Sequence, residues 1–188
     1  MIEIILFAMA MGIGGAVIVF LLGLPEVVAM GWLLVVFVLL LPGLYAAFAG
    51  APFVPSNRKR QRTMLKLAEL TGSETVYDLG CGDSRFLRAS APLAKKAIGY
   101  ELSIPLVILG KWISLFNPKI TVEWKDIWKQ NYDDADVIFC YLLPKMMRRF
   151  YKEVWPKLKP GTKVICNAFT LKELKPVRQE EKVYVYVK

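Results

Sequence analysis

Histidine is missing altogether from these 188 residues. Its absence removes Ser–His and Cys–His nucleophilic pairs, histidine-held metals and any imidazole base from the chemistry open to the chain. Cysteine is scarce. Cys81, Cys140 and Cys166 stand far apart, match no zinc spacing, and read as small buried apolar residues of a reducing compartment. Positive charge is absent from residues 1–57, which hold only two acids, Glu3 and Glu26. All 25 basic residues and 14 of the 16 acids follow Asn57, so the remainder carries +11. An apolar start joined to a basic remainder suggests a membrane anchor followed by one soluble domain.

The uncharged runs are 19 residues, Ile4 to Leu22, and 22 residues, Val27 to Phe48. At ~1.5 Å per residue, each is long enough as a helix for a hydrocarbon core ~30 Å thick. Gly23-Leu-Pro25-Glu26 supplies a turn between them, so residues 1–50 are expected to form a transmembrane helical hairpin, with Gly12, Gly14, Gly15 and Ala16 letting the helices approach. A signal peptide is the competing reading, but it lacks a basic start and a second apolar span follows at once. Residues 51–72 form a connector and a juxtamembrane helix. Pro52-Phe53-Val54-Pro55 is stiff and extended, and Ser56 is expected to cap a helix from Asn57 to Leu70, closed by Thr71-Gly72. Arg58, Lys59, Arg60, Arg62 and Lys66 orient the hairpin by the positive-inside rule, placing both termini and residues 73–188 in the cytoplasm of a two-pass cell-membrane protein. They also suit contact with the lipid bilayer. Nucleic acid is a weaker candidate partner, since a basic juxtamembrane segment already has a reason to exist.

The most informative stretch is Val76-Tyr-Asp78-Leu-Gly80-Cys81-Gly82-Asp83-Ser84-Arg85. A β-prone lead-in meets an acid and then two glycines spaced by one residue, ahead of a helix-compatible segment. That is the opening of a nucleotide-binding βαβ unit, where glycine lets backbone approach a ligand. An ordinary tight turn remains the bland alternative. The acid before the turn suits a ligand with a positive amino-acid end, such as S-adenosylmethionine (SAM), better than a pyrophosphate. Glu101, about twenty residues on at a second strand's end, is placed for ribose hydroxyls, and Asp126, after a third strand, for an adenine.

The remaining chain alternates strand and helix. Phe86 to Leu93 reads as a helix, Lys96 to Glu101 as strand two, and Ser103 caps a helix running to about Leu115 with Pro105 in its first turn. Ile120 to Trp124 is strand three. Asp136 to Leu142 is, after its leading acid, a continuous apolar run suited to burial on both faces of a parallel sheet. A helix from about Lys145 to Trp155 follows, then strands Thr162 to Phe169 and Lys182 to Val187. This predicts an α/β, Rossmann-like doubly wound sheet over 73–188.

Several runs together resemble class I SAM-dependent methyltransferases, and more narrowly the small protein-lysine N-methyltransferase family. They are Pro-Phe-Val-Pro-Ser (52–56), Val-Tyr-Asp-Leu-Gly-Cys-Gly-Asp (76–83), Gly-Tyr-Glu-Leu (99–102), Lys-Asp-Ile-Trp (125–128), Asp-Val-Ile-Phe-Cys-Tyr-Leu-Leu-Pro-Lys-Met-Met (136–147) and Pro-Gly-Thr-Lys-Val-Ile (160–165). That family includes archaeal broad-specificity enzymes and the mitochondrial enzyme acting on the c-subunit of ATP synthase. The resemblance implies a SAM site made by Asp78, Gly80, Cys81, Gly82, Asp83, Glu101, Leu102, Asp126 and Ile127. It implies a substrate amine met by Tyr141, Leu142 and Pro144, with Phe53 and Val54 closing over it. Plain strand core is the competing reading for Tyr141 and its leucines. The chain departs from the family in carrying Ser84 where glycine is usual, a change compatible with a backbone not at positive φ, and in its two apolar spans.

Methyl transfer to an amine needs no metal and no covalent intermediate, only alignment of nucleophile, methyl and sulfur and a neutral amine. A lysine of pKa ~10.4 is charged at neutral pH, and an apolar slot lowers that value. The expected activity is methylation of a lysine on a membrane-associated protein. The rivals are methylation of a lipid or small amphipathic amine, and SAM binding without turnover.

Overall fold

The computed structural model describes residues 12–15, 17–23, 25–49 and 56–188, with the side chains of 39–49 excepted. The chain divides into two units, Met1–Pro52 and Phe53–Lys188. In the first, residues 12–15 and 17–21 are helical and a second helix runs Glu26–Ala49. The two meet where expected, since a Cβ on Gly15 would run into the Trp32 indole. Among the described residues no helix is long and apolar enough to cross a membrane. The expected transmembrane character of the hairpin therefore finds no support there.

The second unit is a seven-stranded mixed sheet of order β3-β2-β1-β4-β5-β7-β6. Its strands are β1 (Thr75–Leu79), β2 (Lys96–Glu101), β3 (Ile120–Trp124), β4 (Val137–Cys140), β5 (Lys163–Asn167), β6 (Arg178–Glu180) and β7 (Val183–Val187). The first five pair in parallel; β7 runs antiparallel to β5 and forms a hairpin with β6. The simple doubly wound expectation is thus corrected at its C-terminal edge. The hairpin turn, Glu181-Lys182, holds both residues at positive φ without glycine or asparagine, so the usual signal for such a turn is missing.

Helices cover both faces, which is why β1, β2 and β4 are apolar almost throughout. On one face lie α1 (Arg58–Ala68), α2 (Arg85–Ser90) and α3 (Ile104–Ile113). Met64, Leu67 and Phe86 there pack on Val76, Phe139 and Ile165, while Leu87 and Val107 pack with Ala97 and Val122. On the other face α4 (Pro144–Glu153) sets Met147 and Phe150 against Leu79, Ile138 and Val164. Asn57, not Ser56, caps α1: its side chain accepts from the Lys59 amide at 2.7 Å. The expected helix over 86–93 breaks at Ser90 into α2 and a 3₁₀ turn at Ala91–Leu93 that carries Pro92. Strand five stops at Asn167 because Ala168 turns to φ +67°. Part of the basic run has an internal use, with Lys59 pairing to Glu181 (2.6 Å) and Lys66 to Glu180 (2.9 Å).

Candidate active site

The strand order reverses between β1 and β4, and a crevice opens at the C-terminal edge of a parallel sheet at such a point. The first wall is the exit of β1. Gly80 (φ +77°) and Gly82 (φ +54°) take conformations that favour glycine. The amides of Gly80 and Cys81 both donate to the Tyr100 carbonyl, at 2.9 and 3.1 Å. Gly82 donates to Glu101 Oε2 at 3.0 Å, while Glu101 Oε1 accepts from the Leu102 and Ser103 amides at 2.8 Å each. Glu101 therefore clasps the glycine turn to the start of α3. The turn lies flat on β2 because position 99 is glycine; a Cβ there would sit 2.5 Å from Leu87 Cδ1 and 2.6 Å from Cys81 Sγ.

Cys81 was expected among the cofactor contacts, yet its thiol is buried with Leu87, Ala97 and Val107, and burial pushes its pKa well up. Only its backbone belongs to the turn. Asp83 is held by Arg85, which reaches its carboxylate with Nε (2.9 Å) and Nη2 (2.7 Å) and keeps its pKa low. Ser84 stands at φ +62°, so the condition under which serine replaces the usual glycine without strain is not met. It is wholly buried, and its hydroxyl has no hydrogen-bond partner. That hydroxyl fills the place a Cβ on Gly110 of α3 would take.

Asp78 lies on β1 opposite Gly99 and Phe139. Burial, then the neighbouring acids Glu101 and Asp83, push its pKa up to about 7. An acid held among acids suits a ligand that brings its own positive charge. A Cβ on Gly80 would meet nothing nearer than Leu142 Cδ2 at 4.0 Å, so the turn borders open space. These residues fit SAM, whose sulfonium and ammonium supply that charge.

Beyond β3, Asp126 caps a 3₁₀ turn at Ile127–Lys129 by accepting from the Trp128 amide at 3.1 Å, and Ile127 is buried. Tyr132 fixes this segment by donating to the Ile127 carbonyl at 2.7 Å, its ring 5.3 Å from Tyr77 and 6.1 Å from Tyr100. Trp124 donates to the Leu102 carbonyl at 3.0 Å and ties β3 to β2. Asp78 near the end of β1, Glu101 ending β2 and Asp126 two residues past β3 thus lie at the C-terminal ends of three neighbouring parallel strands.

The opposite wall is the exit of β4. Tyr141 comes one residue after Cys140, which pairs with Leu79 on one side and Cys166 on the other. Tyr141 is half-buried. Leu142 belongs to the core, in line with the plain strand-core reading, while Leu143 and Pro144 are exposed at the start of α4. Phe53 and Val54 lie outside the described residues. Two residues beyond those expected stand out. Asn167, ending β5 beside Tyr141, is buried, donates to Ser56 Oγ at 3.3 Å and leaves its Oδ1 without a partner. Ser84 is the other. A polar residue closing an apolar run (Val164-Ile-Cys-Asn167) was the available signal for the first; serine carries no signal for positive φ.

This sheet, with an antiparallel β7, a glycine turn after β1 and an acid ending β2, is that of a class I SAM-dependent methyltransferase. The chain belongs to the family described as the ANTKMT methyltransferase domain, whose model matches residues 78–178. It is similar to a protein-lysine N-methyltransferase of Saccharolobus islandicus (strain REY15A), with 28% identity over 149 residues, 72% of this chain and 92% of the relative. It is also similar to the lysine N-methyltransferase of the ATP synthase C-subunit from Rattus norvegicus, 27% identical over 121 residues, 63% of this chain and 56% of the relative. The chain spans about half the length of the ATP synthase-directed enzymes it matches. Among solved structures, an RNA methyltransferase from Salinibacter ruber in complex with S-adenosyl-L-homocysteine aligns with a TM-score of 0.67 and 25% identity, covering 71% of this chain and 93% of that one.

Proposed function

We propose that the chain methylates a lysine side-chain amine on a membrane-associated protein, using SAM. The observation that carries the reading is the likeness to a protein-lysine N-methyltransferase over 92% of that relative's length. Asp78, Glu101 and the glycine turn hold the cofactor, which when bound supplies an activated methyl group. Asp126 and Ile127 border its adenine end. Tyr141, with Leu142 behind it, strips water from the incoming amine, which favours the neutral, nucleophilic form. The Asn167 oxygen accepts a hydrogen bond from that amine and fixes its direction, and alignment is the main contribution such a transfer needs.

The same reading makes residues 1–50 a two-pass anchor, resting on the two uncharged runs and on the contact between Gly15 and Trp32. The basic residues that follow put residues 73–188 on the cytoplasmic side. Tethering then raises the local concentration of membrane-bound acceptors, a selectivity by location. The likeness to a solved RNA methyltransferase favours RNA as a second reading. Purified protein mixed with membranes, RNA and methyl-labelled SAM separates the two, and a lipid acceptor as well. Label recovered as methyl-lysine in protein supports the proposal; label confined to RNA or lipid overturns it.

A further inference from the structure

Helix α3 has two apolar sides, and only one is packed. Val107 and Gly110 face the sheet. Ile104, Ile108, Leu109 and Trp112 face away from it, Ile108 63% and Trp112 73% exposed. Leu115 and Phe116 (95% exposed) continue this strip past the helix C-terminus, and Trp124, tied to the Leu102 carbonyl, adjoins its N-terminus. A helix of a soluble sheet protein normally turns charged residues outward, and an apolar patch of this length marks an interaction surface.

The charges around the strip indicate what covers it. From Ser84 to Trp124 the acids are Glu101, whose carboxylate accepts from the amides of Gly82, Leu102 and Ser103, and Glu123, which pairs with Lys125 at 3.0 Å. The strip is bordered by exposed Lys95, Lys96, Lys111 and Lys119, none of them in an ion pair among the described residues. The 94–97 and 119–120 segments are joined by Lys119 Nζ donating to the Ala94 carbonyl and the Ala97 amide donating to the Lys119 carbonyl, which groups three of these lysines at the Phe116 end. Tryptophan, phenylalanine and aliphatic side chains next to unpaired lysines are the composition of a surface that sinks into the interfacial region of an anionic bilayer. We propose that the α3 face, from Trp124 to Phe116, docks the catalytic unit onto an anionic lipid surface. This holds the cofactor crevice, which opens at the N-terminal end of α3, beside the headgroups, and it is an additional contact that does not depend on residues 1–50 spanning the bilayer.

The test uses the full chain carrying Phe116→Cys labelled with a polarity-sensitive fluorophore; the three native cysteines are buried and stay unlabelled. Vesicles are made of phosphatidylcholine alone or with phosphatidylglycerol, each with and without a nitroxide-bearing lipid. Docking predicts a blue shift and nitroxide quenching on the phosphatidylglycerol vesicles, with both lost at high salt. Neutralising Lys96→Gln or Lys119→Gln should lower the docked-to-free ratio by about fivefold each. A second label at Lys172→Cys, on an exposed stretch after β5, should stay unquenched. If the protein is carried by the vesicles while the Phe116 label keeps its aqueous emission, docking is refuted and the anchor stands. Energy transfer between labelled copies without lipid quenching overturns it in favour of a second copy of the chain.

Discussion

The two walls of the crevice, a few residues apart across β1 and β4, are built in different ways. On the β1 side Gly80, Cys81 and Gly82 commit their amides to Tyr100 and Glu101, and Glu101 in turn binds two amides at the start of α3. On the β4 side Tyr141 and Asn167 make few bonds, and the Asn167 oxygen is left over. A cofactor of constant shape can be met by a closed backbone network. An acceptor that must arrive, lose water and leave is better met by an apolar slot with one polar group to spare. The first wall offers charge; the second offers dryness and direction.

If that division is right, the largest effect belongs to Asp78. Asp78→Asn removes the only group held there against its own charge, and charge-assisted contacts are the strong ones. SAM should bind about 100-fold more weakly by calorimetry. The ligand-free protein should be no less stable, since one like charge has gone. Unchanged SAM affinity would remove Asp78 from the cofactor wall. Gly99→Ala comes next. Its Cβ would overlap Leu87 and Cys81 and push the turn off β2. Overpacking of this kind costs about 1–3 kcal/mol, and both thermal midpoint and SAM affinity should fall, the latter about tenfold.

The same acid gives the β1 wall a pH signature. Asp78 has its pKa raised to about 7 in the ligand-free fold. A raised carboxyl contributes most to stability when protonated in the fold at low pH, and that contribution is lost as pH rises through about 7. Binding a cation reverses the preference and releases the proton. SAM affinity should therefore rise about tenfold per unit as pH approaches 7 and then flatten. The Asp78→Asn protein should show no such rise, which calorimetry across this range will report.

How far this was legible beforehand follows the same division. Lys96 to Glu101 and Ile120 to Trp124 could be read to the residue, because apolar runs ending in a charged or aromatic residue mark a parallel strand and its exit. The acids of the β1 wall were equally plain, since their spacing is fixed by a backbone network of short range. The β6–β7 hairpin was not, because Glu181 and Lys182 make a turn normally left to glycine and asparagine. Nor was the outer side of α3, where a helix apolar except for Lys111 gives little hint of which side the sheet covers. Asn167 stayed hidden for a third reason. Its importance lies in a missing partner, and a missing partner is a property of three-dimensional packing alone.

On the β4 wall the effects should be smaller and of another kind. Tyr141→Ala and Asn167→Ala should each lower kcat/KM for the acceptor about tenfold, the value of one modest interaction. SAM affinity should be unchanged in both. A parallel loss of SAM affinity would dissolve the distinction between the walls.

The smallest effect sharpens the boundary of the β1 wall. Ser84 carries a left-handed backbone that costs a non-glycine residue about 1 kcal/mol. Its unpartnered hydroxyl occupies the space of a Cβ on Gly110, itself inside a helix where alanine is favoured by about 1 kcal/mol. The two departures support each other: glycine at 110 leaves the room that the Ser84 hydroxyl fills. Ser84→Gly alone should be neutral to slightly stabilising, the released strain set against a small void. Gly110→Ala alone should destabilise through overlap with the buried hydroxyl. The double variant should exceed the original by about 1 kcal/mol in a denaturant titration, a coupling that two independent sites would not show. Strict additivity would mean that Ser84 is accommodated by something other than the gap in α3.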